Sequence, residues 1–196
     1  MTIVCAYQSS TQIAIGSDSL TNFGPAMSIS SGSKWTNQGN WRDWWIGSSG
    51  FKRSKTLLAG YTKTLPKHPQ DVADLIRTLH KNDAWQPDER KGEPLAYGSN
   101  FILANPSGLW YVDSSFCAYK WPARKLLAIG SGSEFARGAA VAATWLSQKR
   151  FPALYHSPLC KSLTPKEYID LALVAAIGCD TCCGNPVFTH TFDLKS

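Results

Sequence analysis

Thr2, behind a single methionine and leading directly into the apolar run Ile3-Val4-Cys5-Ala6-Tyr7, carries the clearest chemical potential in this chain. Methionine ahead of a small residue is the kind of initiator that aminopeptidases remove, and its loss would leave a hydroxyl and a free α-amine on one residue. An α-amine titrates near about 7.7, close to working pH, so it can act as base for its own hydroxyl, directly or through one water, without a tuned histidine. Retention of Met1 would make that nitrogen an amide and leave a precursor or a structural subunit. Other nucleophile motifs do not fit. Gly130-Ser131-Gly132 lacks the G-x-S-x-G spacing, and Gly130 to Gly138 follows no dinucleotide pattern. Cys179-x-x-Cys182 is half a zinc site, and His68, His80, His156 and His190 stand at no spacing that completes it. No metal and no cofactor are expected, and the cysteines read as reduced, mostly buried thiols.

The elements that must position Thr2 follow from periodicity. Ile3 to Tyr7 and Gln12 to Gly16 alternate as paired strands around a turn at Gln8 to Thr11, and Gly24-Pro25 marks another break. Trp44-Trp45-Ile46 reads as a short buried strand within a Gly- and Ser-rich stretch. Helical spacing is expected over Phe51 to Thr64 and again over Gln70 to His80, with a break at Pro66 to Pro69 between them. Asn82 to Gly98 suits a surface loop. Ser99 to Ala104 and Leu109 to Asp113 form a hairpin around Asn105-Pro106-Ser107-Gly108, followed by strands at Phe116 to Trp121 and Leu126 to Gly130. Ser133 to Gln148 is an Ala-rich helix. Thr164-Pro165-Lys166-Glu167 is a capping box with proline in the first helical position, opening a helix that runs toward Gly178. Val187 to Leu194 is a last strand. Strands in runs and helices in pairs predict an α+β fold: a four-layer αββα sandwich of two antiparallel sheets covered by helix pairs.

With 196 residues, 43% of them apolar, the chain suits one domain spanning 1–196. Its net charge of +6 is spread over Lys and Arg that stand singly or in pairs, which describes a soluble basic surface without a nucleic-acid motif. No stretch reaches the apolar length of a membrane span, and MTIVCAYQSS lacks the pattern of a signal peptide, so a cytoplasmic protein with no membrane partner is expected.

Spacing and order together carry a resemblance. Asp18, within Gly16-Ser17-Asp18-Ser19, lies sixteen residues after Thr2, and Lys34 sixteen after that. Ile46-Gly47-Ser48-Ser49-Gly50, Ile129-Gly130-Ser131-Gly132 and Asp180-Thr181-Cys182-Cys183-Gly184 follow in order. The chain resembles proteasome β-subunits and HslV, the threonine-type N-terminal-nucleophile hydrolases. The resemblance implies Thr2 as nucleophile, Lys34 as the charge that lowers the pKa of hydroxyl and amine, and Asp18 as the group that keeps Lys34 charged and oriented. It implies Gly47, in a strand-to-helix turn, as the oxyanion N–H, and Ser131, Asp180 and Cys183 as the group that positions the amine or a water. Cys183 stands where the family has serine or threonine, a weaker hydrogen-bonding group. Trp45, Ser49 and Arg53 are implied as substrate-binding, and an indole at position 45 would shorten the S1 pocket and favour small P1 side chains. The segment Lys149 to Leu163 is longer than the turn in HslV and bears on ring contacts.

The implied partners are identical subunits in a stacked double ring, an unfolded polypeptide or peptide substrate, and an ATP-dependent unfoldase or activator. Two other readings stay open: a non-catalytic structural ring subunit of the same fold, and an N-terminal-nucleophile amidase on small acyl amides that works without a ring.

Overall fold

The computed structural model describes residues 2–23, 26–29, 33–37, 43–50, 53–61, 63–82, 99–147 and 162–195. For residues 21–23, 26–29 and 53–55 the backbone alone is described. Met1, the Gly24-Pro25 break, the loop 83–98, Cys160, the Arg53 side chain and most of Lys149 to Leu163 lie outside the described residues. The elements in chain order are β1 (Val4–Gln8), β2 (Gln12–Asp18), β3 (Leu20–Phe23), β4 (Ala26–Ile29), β5 (Trp35–Thr36), β6 (Trp45–Ser49), α1 (Arg53–Ala59), α2 (Pro69–Asn82), β7 (Asn100–Asn105), β8 (Gly108–Val112), β9 (Ala118–Lys120), β10 (Leu126–Ile129), α3 (Ser133–Ser147), α4 (Pro165–Cys179) and β11 (Val187–Asp193).

One antiparallel sheet has the order β10-β1-β2-β11 and a second β5-β6-β7-β8-β9, with β3-β4 as a separate hairpin. The β1–β2 turn is built by Ser9, whose Oγ accepts from the backbone N–H of Thr11 (3.2 Å) and Gln12 (2.9 Å), so a serine replaces the turn's missing backbone acceptor. Register then places Val4 opposite both Ser17 and Ile129, which puts β1 in the middle of its sheet.

The alternation of each strand sorts its side chains into three apolar layers. Ile3 and Cys5 pack with α3 and α4, through Ala136, Ala140, Ile169 and Leu173. Val4 and Ala6 face the other way and meet Trp35, Ile102 and Ala104 between the sheets. Ile46, Phe101 and Leu103 face outward against Leu58 of α1 and Val72 and Ile76 of α2. Two sheets buried on both faces and two helix pairs on the outside make the four-layer αββα sandwich expected from the sequence. Each fully buried aliphatic or aromatic side chain contributes roughly 1.5–3 kcal/mol, so the central strands anchor the molecule.

Several boundaries differ from the sequence expectation. Helix α1 stops at Ala59 because Gly60 follows, and Tyr61 and Leu65 reach the outer core from beyond the helix end. Pro69 opens α2 instead of breaking the chain, since the first helical position needs no N–H. The strand expected from Phe116 contracts to Ala118–Lys120 because Asp113 Oδ1 captures the N–H groups of Ser115 (2.9 Å) and Cys117 (3.0 Å), and Phe116 adopts φ 63° within that turn. Trp44 precedes β6 and does not belong to it; its indole N–H donates to the Pro66 carbonyl at 3.1 Å. The capping box at Thr164 forms as expected, with Thr164 Oγ1 accepting from Glu167 N and the Glu167 carboxylate accepting from Thr164 N.

Helix α4 lies so close to β2 that a Cβ on Gly16 would stand 2.4 Å from Ile169 Cγ2 and 2.9 Å from Leu173 Cδ1. Gly16→Ala should therefore destabilise the protein by about 1–3 kcal/mol, read as a lower urea midpoint with an unchanged m-value. An unchanged midpoint would contradict the tight β2–α4 contact.

Candidate active site

β2 ends at Asp18, and its carboxylate is the point on which the site converges. The Asp18 side chain has no solvent exposure. Its Oδ1 accepts from the Thr2 hydroxyl (2.9 Å), from the Ile3 N–H (3.0 Å) and from the Lys34 ammonium. Its Oδ2 accepts from the Gly184 N–H at 3.2 Å. Thr2 is held by the strand that follows it, because Asp18 N donates to the Ile3 carbonyl (3.2 Å) and extends the β1–β2 ladder to the chain's start. Lys34, just before β5, crosses from the second sheet to reach Asp18. It is fixed at both ends: its N–H donates to Ser17 Oγ (3.1 Å) and its ammonium to the Leu20 carbonyl (2.6 Å). Burial pulls the Lys34 pKa below its ordinary value, while the charge and hydrogen bond of Asp18 oppose the shift and favour the ammonium. Thr2, Asp18 and Lys34 are thus brought together as the resemblance implies.

A second group sits beside the first. Asp180, at the end of α4, accepts from Cys182 N (2.9 Å) and from the Cys183 thiol (3.5 Å), and Ser131 also hydrogen-bonds it. Burial would raise the Asp180 pKa, but these hydrogen bonds outweigh it and hold the carboxyl below its ordinary value. The Cys183 thiol is pushed up to about 12 by burial, with the Asp18 and Asp180 charges adding to the effect, so it stays a neutral donor. The turn from Cys183 to Gly184 links the two groups, since Gly184 delivers its N–H to Asp18. The segment after β10 closes over Thr2: Gly130 has φ 100°, and a Cβ there would fall 2.0 Å from the Thr2 carbonyl oxygen. Only glycine fits that approach. Ser131 itself is exposed.

Gly47 is the third residue of β6, in register with Trp35 and Ile102, and is not in a strand-to-helix turn. The turn belongs to Gly50, at φ 111°. A Cβ on Gly47 would meet Val4 Cγ1 at 2.6 Å, which places this part of β6 directly over β1, two residues from Thr2. Next to Gly130 a cleft of about 410 Å³ opens between β10 and the second sheet, and Ser49 lines it.

No family model matches this sequence, and no curated protein does. Solved structures do match. BPH from Thiobacillus denitrificans is 22% identical over 98% of both chains with a TM-score of 0.74, and it has also been solved in complex with epoxomicin. HslV from Trypanosoma brucei is 15% identical, over 97% of this chain and 99% of that one, with a TM-score of 0.62. Anbu from Pseudomonas aeruginosa, solved as a helical assembly, is 14% identical over 97% of this chain and 81% of that one, also at 0.62. The chain has the proteasome-type N-terminal-nucleophile hydrolase fold.

In this proteasome-type fold, Trp45 does not stand where the sequence reading put it. Its indole packs in the layer between the sheets against β11, with ring centroids 4.6 Å from His190, 6.3 Å from Phe192 and 6.4 Å from Phe188. It does not line the cleft beside Thr2, so the expectation of small P1 side chains loses its physical basis. Sequence reasoning gave no separate role to Ser17, the Leu20 carbonyl or the Gly184 N–H, which complete the Lys34–Asp18 arrangement. Ser17 and Gly184 lie within quoted motifs, but a backbone carbonyl leaves no signal in residue type.

The lowered Asp180 pKa has a consequence for stability. A carboxylate held below its unfolded value of 3.8 contributes stability above that value and loses it as pH falls through the folded value. Wild type should therefore melt above Asp180→Asn near neutral pH, and the gap should narrow as pH drops below 3.8. A gap that stays constant or widens with acid would contradict the hydrogen-bonded carboxylate.

Proposed function

We propose that the chain is a threonine-type endopeptidase whose nucleophile is Thr2 after removal of Met1. The observation that carries this reading is the meeting of the Thr2 hydroxyl and the Lys34 ammonium on one oxygen of the buried Asp18. A free α-amine on Thr2 would take the hydroxyl proton as Oγ1 attacks a peptide carbonyl, and the nearby ammonium would ease that deprotonation. The oxyanion would be met by a backbone N–H of the turn that ends β6 at Gly50, since the Gly47 N–H lies within the sheet ladder; such a donor is worth roughly 3 kcal/mol in comparable hydrolases. Collapse breaks the C–N bond, the amine passes its proton to the leaving nitrogen, and the acyl group remains as an ester on Thr2. Water, deprotonated by the same amine, then hydrolyses the ester and restores the hydroxyl. Ser131, Asp180 and Cys183 would hold the amine or that water, and Ser49 and Arg53 would contact the peptide.

The exposed apolar side chains of the outer helices support a self-assembling subunit in a stacked double ring: Phe135 and Trp145 on α3 and Val174 on α4, the last 68% exposed. Unfolded polypeptides would reach the chamber with the help of an ATP-dependent unfoldase or activator. Among the described residues no helix is long and apolar enough to cross a membrane, and a cytoplasmic, single-domain peptidase of residues 1–196 is the reading we adopt.

One observation favours the non-catalytic ring subunit instead: Cys183 puts a thiol where the resemblance calls for a hydroxyl. Intact-mass measurement before and after incubation with a threonine-directed epoxyketone separates the readings. A peptidase should show loss of Met1 and a single adduct that Thr2→Ala abolishes. Retained Met1 with no adduct would count against the peptidase and favour the scaffold subunit.

A further inference from the structure

Among the described residues that line the cleft beside Gly130, one side chain is charged, Arg137. Ser133 fixes that guanidinium from one turn earlier on α3, accepting on its carbonyl from Nε (3.3 Å) and on its hydroxyl from Nη2 (3.2 Å). Nη2 also reaches Glu134 at 2.7 Å, but Glu134 is 81% exposed and that pair is a weak surface one that a better acceptor can replace. On the opposite wall Tyr111 donates its hydroxyl to Asn100 Oδ1 at 3.0 Å, which occupies the amide oxygen and leaves the Asn100 NH₂ as the donor end. Burial, and then the Asp113 charge, raise the Tyr111 pKa and keep it a donor. Ser133 is also the first residue of the fifteen-residue α3, so the positive end of that helix faces the same space. A guanidinium, a carboxamide donor and a helix N-terminus converge on a cleft with no lining acid among the described residues, and the cleft ends at Gly130, which touches Thr2.

We infer that this cleft is a subsite for a carboxylate of the peptide bound across Thr2, paired with Arg137 and hydrogen-bonded by Asn100. Arginine's planar fork matches a carboxylate in two parallel hydrogen bonds and gains little from the neutral amide of the same shape. The inference rests on the peptidase reading for the identity of its ligand. The carboxylate is supplied either by an Asp or Glu side chain or by the peptide's C-terminus.

Thr2→Ala protein, which cannot consume the peptide, is titrated with capped pentapeptides, with tryptophan fluorescence as the signal because Trp121 lines the cleft. One pair differs as Asp against Asn with an amidated C-terminus; a second, without acidic residues, differs as free acid against amide. The acid member of at least one pair should bind about tenfold tighter than its amide twin, and the pair that discriminates identifies the carboxylate's source. Arg137→Gln should bring that ratio to about one, and Arg137→Lys should restore part of it. Equal binding of acid and amide, no binding of either, or discrimination that survives in Arg137→Gln would overturn the subsite. Discrimination in a protein whose intact-Thr2 form cleaves none of these peptides would leave the subsite standing and count against the peptidase reading alone.

Discussion

A carboxylate without solvent exposure has to be met by charge and hydrogen bonds from every side, and in this molecule that requirement falls on Asp18. Its two oxygens accept from four groups contributed by separate parts of the chain: Thr2 and Ile3, Lys34, and Gly184. Each of these must arrive at the correct height along β2 for the charge to be tolerated. The central place of β1, the crossing of Lys34 between sheets and the turn after α4 are therefore conditions on one another. Removing one partner would strand a buried charge, a change that costs about 3–5 kcal/mol in comparable buried pairs.

The same constraint explains how the chemistry is kept apart from the packing. Val4 and Ile3 are fully buried in opposite layers, so β1 cannot slide or turn without emptying one core into the other. Thr2 inherits that rigidity although it precedes the first residue of β1. Gly130 and Gly47 allow two neighbouring segments to approach β1 more closely than any side chain would permit. The flank at Gly130, which abuts Thr2, stays open as a cleft.

Much of this was legible in the sequence because it is periodic or locally encoded. The alternation of Ile3 to Tyr7 and of Gln12 to Gly16, the capping box at Thr164 and the hairpin around Asn105 to Gly108 are written in residue type, and the structure has them. The four-layer arrangement followed from strands in runs and helices in pairs. What escaped depends on neighbours distant in the chain. The two-residue β5 exists only because Trp35 and Thr36 find partners on β6, and the indole of Trp45 turns toward β11, a strand more than one hundred residues away in sequence. Phe116 alternates as a strand residue should, yet Asp113 captures the local N–H groups and makes a turn of it. At the site, Asp18 and Lys34 were found through the family resemblance and Thr2 also through its place behind Met1, whereas the Leu20 carbonyl and the Gly184 N–H are backbone groups that composition does not reveal. Gly47 was located by motif and misplaced by geometry: it lies within β6, and the turn belongs to Gly50.

The central claim is that Asp18, through Lys34, governs the reactivity of Thr2. The most direct test is the rate at which a threonine-directed epoxyketone modifies Thr2 in wild type and in Asp18→Asn, with Met1 removal verified by mass and the fold by near-ultraviolet circular dichroism. The account predicts a rate at least about a hundredfold lower in folded, processed Asp18→Asn, the scale on which loss of one preorganised electrostatic contact acts. Modification at the wild-type rate in that variant would show that Thr2 reacts independently of the buried carboxylate, and the account would be wrong at its centre.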